Sequence, residues 1–255
     1  MRRFRTALAL LLLASATVAH GQGTITASGA NYVVGASHWD VSPDVNYTGV
    51  GTGDQLFEAG WWFRIQGDTQ ETVFSTPTTQ NYTGNTATIS WTDLGGRGLA
   101  VTKTHVISSA AAGSGEVSTT LSITNNGASA ITLHLFQMID LDVNGSAAGD
   151  SATLVQPNNY IRVTDATAGA CEWRAPGAVG YLVLPFAAAT DVAAQLSNTS
   201  VTDFANTGLP FGPGDITSGF QWTLQLAPAQ TGTVQVYTAC NQTATPVALQ
   251  KFQVD

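Results

Sequence analysis

Apolar and polar residues alternate along most of the chain with a period of two. Ala87, Ile89 and Trp91 alternate with Thr86, Thr88, Ser90 and Thr92, and Val117, Thr119, Leu121 and Ile123 with Ser118, Thr120, Ser122 and Thr124. Ile131, Leu133 and Leu135 alternate with Thr132 and His134, and Phe220, Trp222, Leu224 and Leu226 with Gln221, Thr223 and Gln225; Val234 and Val236 repeat the pattern. Strict alternation makes a strand with one face buried and one face wet. Threonine, valine and aromatic side chains suit that pleated surface. Turn signals separate the runs at Gly95-Gly96, Asn125-Asn126-Gly127, Asn144-Gly145 and Gly208–Gly214. Asn125-Asn126-Gly127 predicts an antiparallel hairpin in which the strand ending near Thr124 returns at Ile131. Only Phe186–Leu196 reads as helix, being Ala-rich with Thr190 or Asp191 as N-cap. Many strands and little helix predict an all-β fold, an antiparallel β-sandwich. A single domain over residues 22–240 with a tail at 241–255 is the simplest division.

The amino terminus has another pattern. Met1–Arg5 is basic and Ala7–Ala19 is apolar, shorter than the ~20 residues a spanning helix takes. This predicts an export signal over residues 1–21, cleaved before His20 or before Gln22, and a product in the periplasm or outside the cell with no membrane span. In that oxidising compartment Cys171 and Cys240, the only two cysteines, are expected to form a disulfide; two separate buried thiols are the alternative.

Composition narrows the function classes. Charged residues are 10% of the 255, and the formal charge is −8. Loss of Arg2, Arg3 and Arg5 with the signal leaves six of nine basic residues against 17 acids, a net charge of −11. That excludes a nucleic-acid or other polyanion partner, which needs clustered Lys and Arg. A hydrophobic fraction of 44% excludes intrinsic disorder.

Candidate chemistry is concentrated in a few places. Asp140, Asp142, Asn144 and Asp150 follow the first half of a calcium loop, in which oxygens at alternate positions converge on a hard cation and Gly145 permits the bend. The closing Glu is missing, since Ser151 stands there, so Ca2+ is the expected metal in a geometry other than an EF-hand. An exposed acidic strand end is the alternative. Trp39 and Trp62, with Arg64 on the same side of its strand as Trp62, are candidate ligand-binding residues. The other large aromatics are expected in the core. A catalytic set of His134, Asp140 and Asp142 on one strand face is the enzymatic alternative. If cleavage exposes His20, its amine and ring could chelate copper with His38, His105 or His134; His20 within the discarded signal is the plainer reading.

Gly98-Leu-Ala-Val-Thr-Lys-Thr-His105 and Glu116–Leu133, with Leu224–Gln230 and Val234-Gln-Val-Tyr237 near the end, resemble the core of galactose-mutarotase-like supersandwich proteins. The resemblance covers about half of the chain that remains after the signal. Asp140-Leu-Asp142-Val-Asn144-Gly145 and Phe211-Gly-Pro-Gly-Asp215 resemble motifs of a set of secreted bacterial proteins. Mutarotases use a His as acid and a Glu as base; that His would fall near Met138 here, and a matching Glu–His pair is not found. The resemblance therefore implies the fold and a carbohydrate or other cell-surface partner without mutarotase catalysis.

Overall fold

In the computed structural model, residues 23–35, 39–41, 46–49, 53–166 and 169–241 are described. The expected export signal and the tail beyond Asn241 lie outside them, as do the side chains of Trp39–Val41.

Among the described residues, eighteen strands form three sheets whose ladders are antiparallel. The largest has nine strands in the order β16 (Phe211–Gly214), β12 (Asp150–Gln156), β13 (Tyr160–Thr164), β14 (Ala170–Arg174), β18 (Thr231–Cys240), β10 (Gly115–Asn125), β9 (Leu99–Ser108), β8 (Thr86–Trp91) and β7 (Thr79–Thr83). A six-stranded sheet runs β15 (Gly180–Pro185), β17 (Ile216–Leu226), β11 (Ile131–Asp140), β5 (Glu58–Ile65) and β3 (Trp39–Val41), with β6 (Thr72–Val73) also on β5. A small sheet comprises β1 (Gly23–Ala27), β2 (Ala30–Val34) and β4 (Asn46–Gly49).

The alternation read from the sequence sets which side of each strand is dry. Ala87, Ile89, Trp91, Val117, Leu121, Ile123, Leu133, Leu135, Phe220, Trp222 and Val236 all enter one core between the sheets. Lys103 and His105 share that inner side of β9 and are buried there. His105 Nδ1 meets Thr119 Oγ1 at 2.8 Å and its ring lies 5.4 Å from Tyr32, so burial holds it neutral, well below its usual range. Cys171 and Cys240 are register partners on β14 and β18 and form the expected disulfide.

The hairpin expected at Asn125-Asn126-Gly127 does not form. β10 lies in the nine-stranded sheet and β11 in the six-stranded one, so the turn carries the chain from one layer to the other. The segment from β17 to β18 makes the reverse crossing beside it. Asn125, 1% exposed, ties both crossings. Its Nδ2 donates to the carbonyls of Ser129 (2.8 Å) and Leu226 (3.0 Å), and its Oδ1 accepts from Gly127 N (2.9 Å). Its backbone pairs with Gln230 O and Ala229 N. A five-residue link satisfies the hairpin pattern and a sheet switch equally well; the amide decides between them by satisfying both chains.

The helix is shorter than expected. α1 covers Val192–Leu196, with Asp191 as the N-cap accepting from Ala194 N at 2.7 Å. It packs on the outer face of the six-stranded sheet, where Trp62, Phe136, Met138, Val192, Leu196 and Phe204 make a second, smaller core. Gly219 makes room for this cover: a Cβ there would fall 2.6 Å from the Phe204 ring.

Asn125→Ala leaves the buried Leu226 carbonyl without its partner, at about 1–3 kcal/mol, and removes the bonds to the more open Ser129 carbonyl and Gly127 N–H. We expect a loss on the order of 3 kcal/mol in urea unfolding; a loss within error of zero would show that the crossings hold without it.

Candidate functional site

Two places combine unusual chemistry with a defined position. The first is an acidic corner at one end of the six-stranded sheet. β11 ends at Asp140, which lies in register between Glu58 of β5 and Thr217 of β17. The chain then crosses to the nine-stranded sheet through Asp142 and a turn at Val143–Gly145, and enters β12 at Asp150. Asn144 takes φ 63° and Gly145 φ 76°, so the Asn-Gly turn expected from the sequence is used for a crossing. The return crossing, from β16 to β17, carries Asp215 past the same corner.

Asp140, Asp142 and Asp215 bring carboxylate oxygens within 4.8 Å of one another. Asp140 is 1% exposed, and its Oδ1 has no hydrogen-bond partner among the described residues. Burial pushes Asp140 up to about 9, helped by the charges of Asp142, Asp215, Glu58 and Asp191. Burial also raises Glu58 to about 7, with Asp191 and Asp215 adding to it. Asp142 rises to about 6 through burial and then Asp215 and Asp54. Asp150 rises to about 7 through burial, partly offset by its bond from Val143 N at 3.3 Å. Every charge named here as acting on these groups is another carboxylate.

Of the four residues singled out for a calcium loop, two stand together at this corner. Asp140 and Asp142 converge, but the third carboxylate is Asp215, from a distant segment. Asn144 turns away: its amide lies against Gly169, where a Cβ would fall 2.5 Å from Nδ2. Asp150 holds the backbone of Val143 and adds charge to the corner from one side. Only the Phe211–Asp215 motif hinted at Asp215; no spacing along the chain links it to Asp140.

The enzymatic alternative is not assembled. His134 and Asp140 share a face of β11, but six residues of strand separate them by about 20 Å. His134 bonds instead to Gln66 Oε1 (3.0 Å) and Thr223 Oγ1 (3.2 Å). Trp62 and Arg64 also differ from expectation. Trp62 is 2% exposed within the second core, and Arg64, 4% exposed, is clamped by Glu71 (2.8 Å) and Asp203 (2.6 Å), so neither offers a surface to a ligand. Packing of residues 192–204 over this face turns a mixed polar-aromatic surface into an interior. Trp39 belongs to β3, and its side chain lies outside the described residues.

The second place is the outer face of the nine-stranded sheet. Register aligns Tyr160, Arg174, Tyr237 and Ser118 in one row across four strands. The next row holds Arg162, Glu172, Ala239 and Glu116. On the other side a row of Gln235, Thr120, Thr104 and Thr88 follows. The Arg174 guanidinium sits 4.3 Å over the Tyr160 ring and donates to Glu172 Oε2 at 3.2 Å. Arg162, its side chain 49% exposed, approaches Glu172 at 3.8 Å. The Tyr237 hydroxyl donates to Gln235 at 3.3 Å, and the residue is half-buried.

No protein-family model and no curated protein matches the sequence. Solved structures match the fold. A bacterial glucoamylase complexed with acarbose superposes with a TM-score of 0.59 at 10% identity, over 88% of this chain and 32% of that one. A putative aldose 1-epimerase from Escherichia coli K12 gives 0.56 at 9% identity, over 86% and 98% of the two chains. A galactose mutarotase-like protein from Lactobacillus casei gives 0.55 at 7% identity, over 87% and 100%. The chain has the galactose-mutarotase-like fold that the sequence resemblance implied, and it spans about a third of the glucoamylase chain.

The raised carboxylates predict an inverted pH dependence. Their unfolded values lie near 4, so from about pH 4 to about pH 9 these four carboxylates hold more protons in the folded state than in the unfolded one, outnumbering the single proton that the buried neutral His105 lacks below about pH 6.5. Stability therefore falls as pH rises through this window. Calorimetry in a chelating buffer should show the melting temperature dropping between about pH 5 and about pH 9; a flat or rising profile would mean that the corner is not repulsive.

Proposed function

We propose that this is a secreted, non-catalytic protein that binds a glycan on the outer face of its nine-stranded sheet. The observation that carries the reading is the pair Arg174–Tyr237, with the buried Tyr160 beneath the guanidinium, continued by rows of hydroxyl and amide side chains. The partly exposed Tyr237 ring can stack on the apolar C–H face of a sugar. Neighbouring Gln, Thr and Arg groups supply hydrogen bonds to its hydroxyls at the ~4.8 Å spacing of the strands. The face is ordered by Arg174, which packs on Tyr160 while binding Glu172. The sugar-related structures sharing the fold support a carbohydrate partner, and the apolar amino-terminal stretch and the disulfide support export. The non-catalytic part rests on two facts: Asp140 is too buried to reach a sugar, and His134 is far from it.

The test is retention of the protein by a panel of soluble and insoluble polysaccharides, with Tyr237→Ala as the variant. We expect binding to at least one polysaccharide, weakened about tenfold or more by the substitution. The bound polysaccharide should show no new reducing ends. Failure to bind any of the panel, or unchanged binding by the variant, would overturn the reading; turnover of the polysaccharide would overturn its non-catalytic part.

A further inference from the structure

We propose that Asp140, Asp142 and Asp215 form a Ca2+ site that ties the two chain crossings together at the acidic corner. Three carboxylates converge within 4.8 Å, which is the span of two Ca–O bonds of about 2.4 Å. The most deeply buried of them, Asp140, has an oxygen without any hydrogen-bond partner among the described residues, in a corner where each charge acting on it is negative. A buried carboxylate oxygen needs a donor, a proton or a cation. The cationic side chains among the described residues are committed elsewhere: Arg64 to Glu71 and Asp203, Arg97 to Asp68, Arg162 and Arg174 to Glu172, and Lys103 above the Trp91 ring. A donor set made only of carboxylate oxygens, without His or Cys, selects a hard cation over zinc or copper. Asp142 and Asp215 are only half-buried, leaving room for the waters that complete a coordination number of about 6–8. The ligands come from segments some 75 residues apart along the chain, with no single rigid loop, which suits the tolerant geometry of Ca2+ better than the strict octahedron of Mg2+. The ion would fasten the end of β11 to the start of β17. It stands apart from the glycan face, so the two proposals can fail separately.

The test is thermal unfolding of the exported protein, stripped with a chelator, against CaCl2 up to about 10 mM, about tenfold above the Kd of the weakest extracellular calcium modules. Wild type should gain about 5–10 °C at a hundredfold excess over Kd. Asp140→Asn should lose this gain and melt at or above wild type in the chelator, because the amide removes the like-charge repulsion and brings its own donors. Asp215→Asn, at a more open position, should also lose the gain. Asp68→Asn, whose residue pairs with the remote Arg97, should keep it. No shift in wild type, or an undiminished shift in both corner variants, would overturn the site. An equal shift with MgCl2 at equal concentration would overturn the assignment to Ca2+.

Discussion

The pairing of β11 with β17 is the constraint on which the rest of the molecule depends. Ten register pairs, from Ile131↔Leu226 to Asp140↔Thr217, hold these strands together in the middle of the six-stranded sheet. At each end of the pair both strands connect to the other sheet. Two crossings must therefore be accommodated at one end and two at the other. The backbone groups that leave a ladder at such a corner are buried and still need partners. The molecule handles the two corners with chemically opposite side chains. Asn125 both donates and accepts, and it satisfies one corner with its own atoms. Carboxylates only accept, so Asp140, Asp142 and Asp215 leave the other corner short of positive charge.

Register links the two corners. Once Asn125 fixes where β11 begins, Leu133, Leu135 and Ile139 face the main core. Phe136, Met138 and Asp140 must then face the other way. A one-residue slip would put the carboxylate of Asp140 into the main core and Ile139 into the acidic corner. The same alternation in β17 places Thr217 beside Asp140 on the outer side, with Ile216 in the core. The acidic corner is thus a consequence of the hydrophobic pattern of two long strands, although no hydrophobic residue belongs to it.

Much of the fold was legible because burial on one face leaves a period of two, and the strands with the cleanest alternation, such as β8 and β10, lie where that pattern put them. What was illegible was pairing. A turn of Asn and Gly records that the chain reverses, and whether the next strand joins the same sheet or the facing one depends on distant partners of Asn125, here the backbone carbonyls of Leu226 and Gln230. The site was legible to the same degree. Asp140 and Asp142 stand out because they are near in sequence; Asp215 completes the group only through the β11–β17 ladder. Trp62 and Arg64 misled for a related reason. Their side of β5 does alternate away from the main core, but a second layer at 192–204 covers it, and that layer has no periodic signature beyond a five-residue helix.

The two sheets therefore have different outer faces, and this decides where a partner can bind. The outer face of the six-stranded sheet is apolar at Trp62, Phe136 and Met138, and it is closed by Val192, Leu196 and Phe204 from within the same chain. The aligned rows on the outer face of the nine-stranded sheet instead hold Ser, Thr, Gln, Tyr, Arg, Glu and one Ala on β10, β18, β14 and β13. Hydroxyls and amides solvate much of this face, and its Arg162 and Arg174 are paired with Glu172. A surface of that kind offers little to a polyanion, which needs clustered cations, and little to an apolar partner. On the proposed reading its ligand is an array of hydroxyls on a rigid ring, for which direction and spacing of hydrogen bonds matter more than charge.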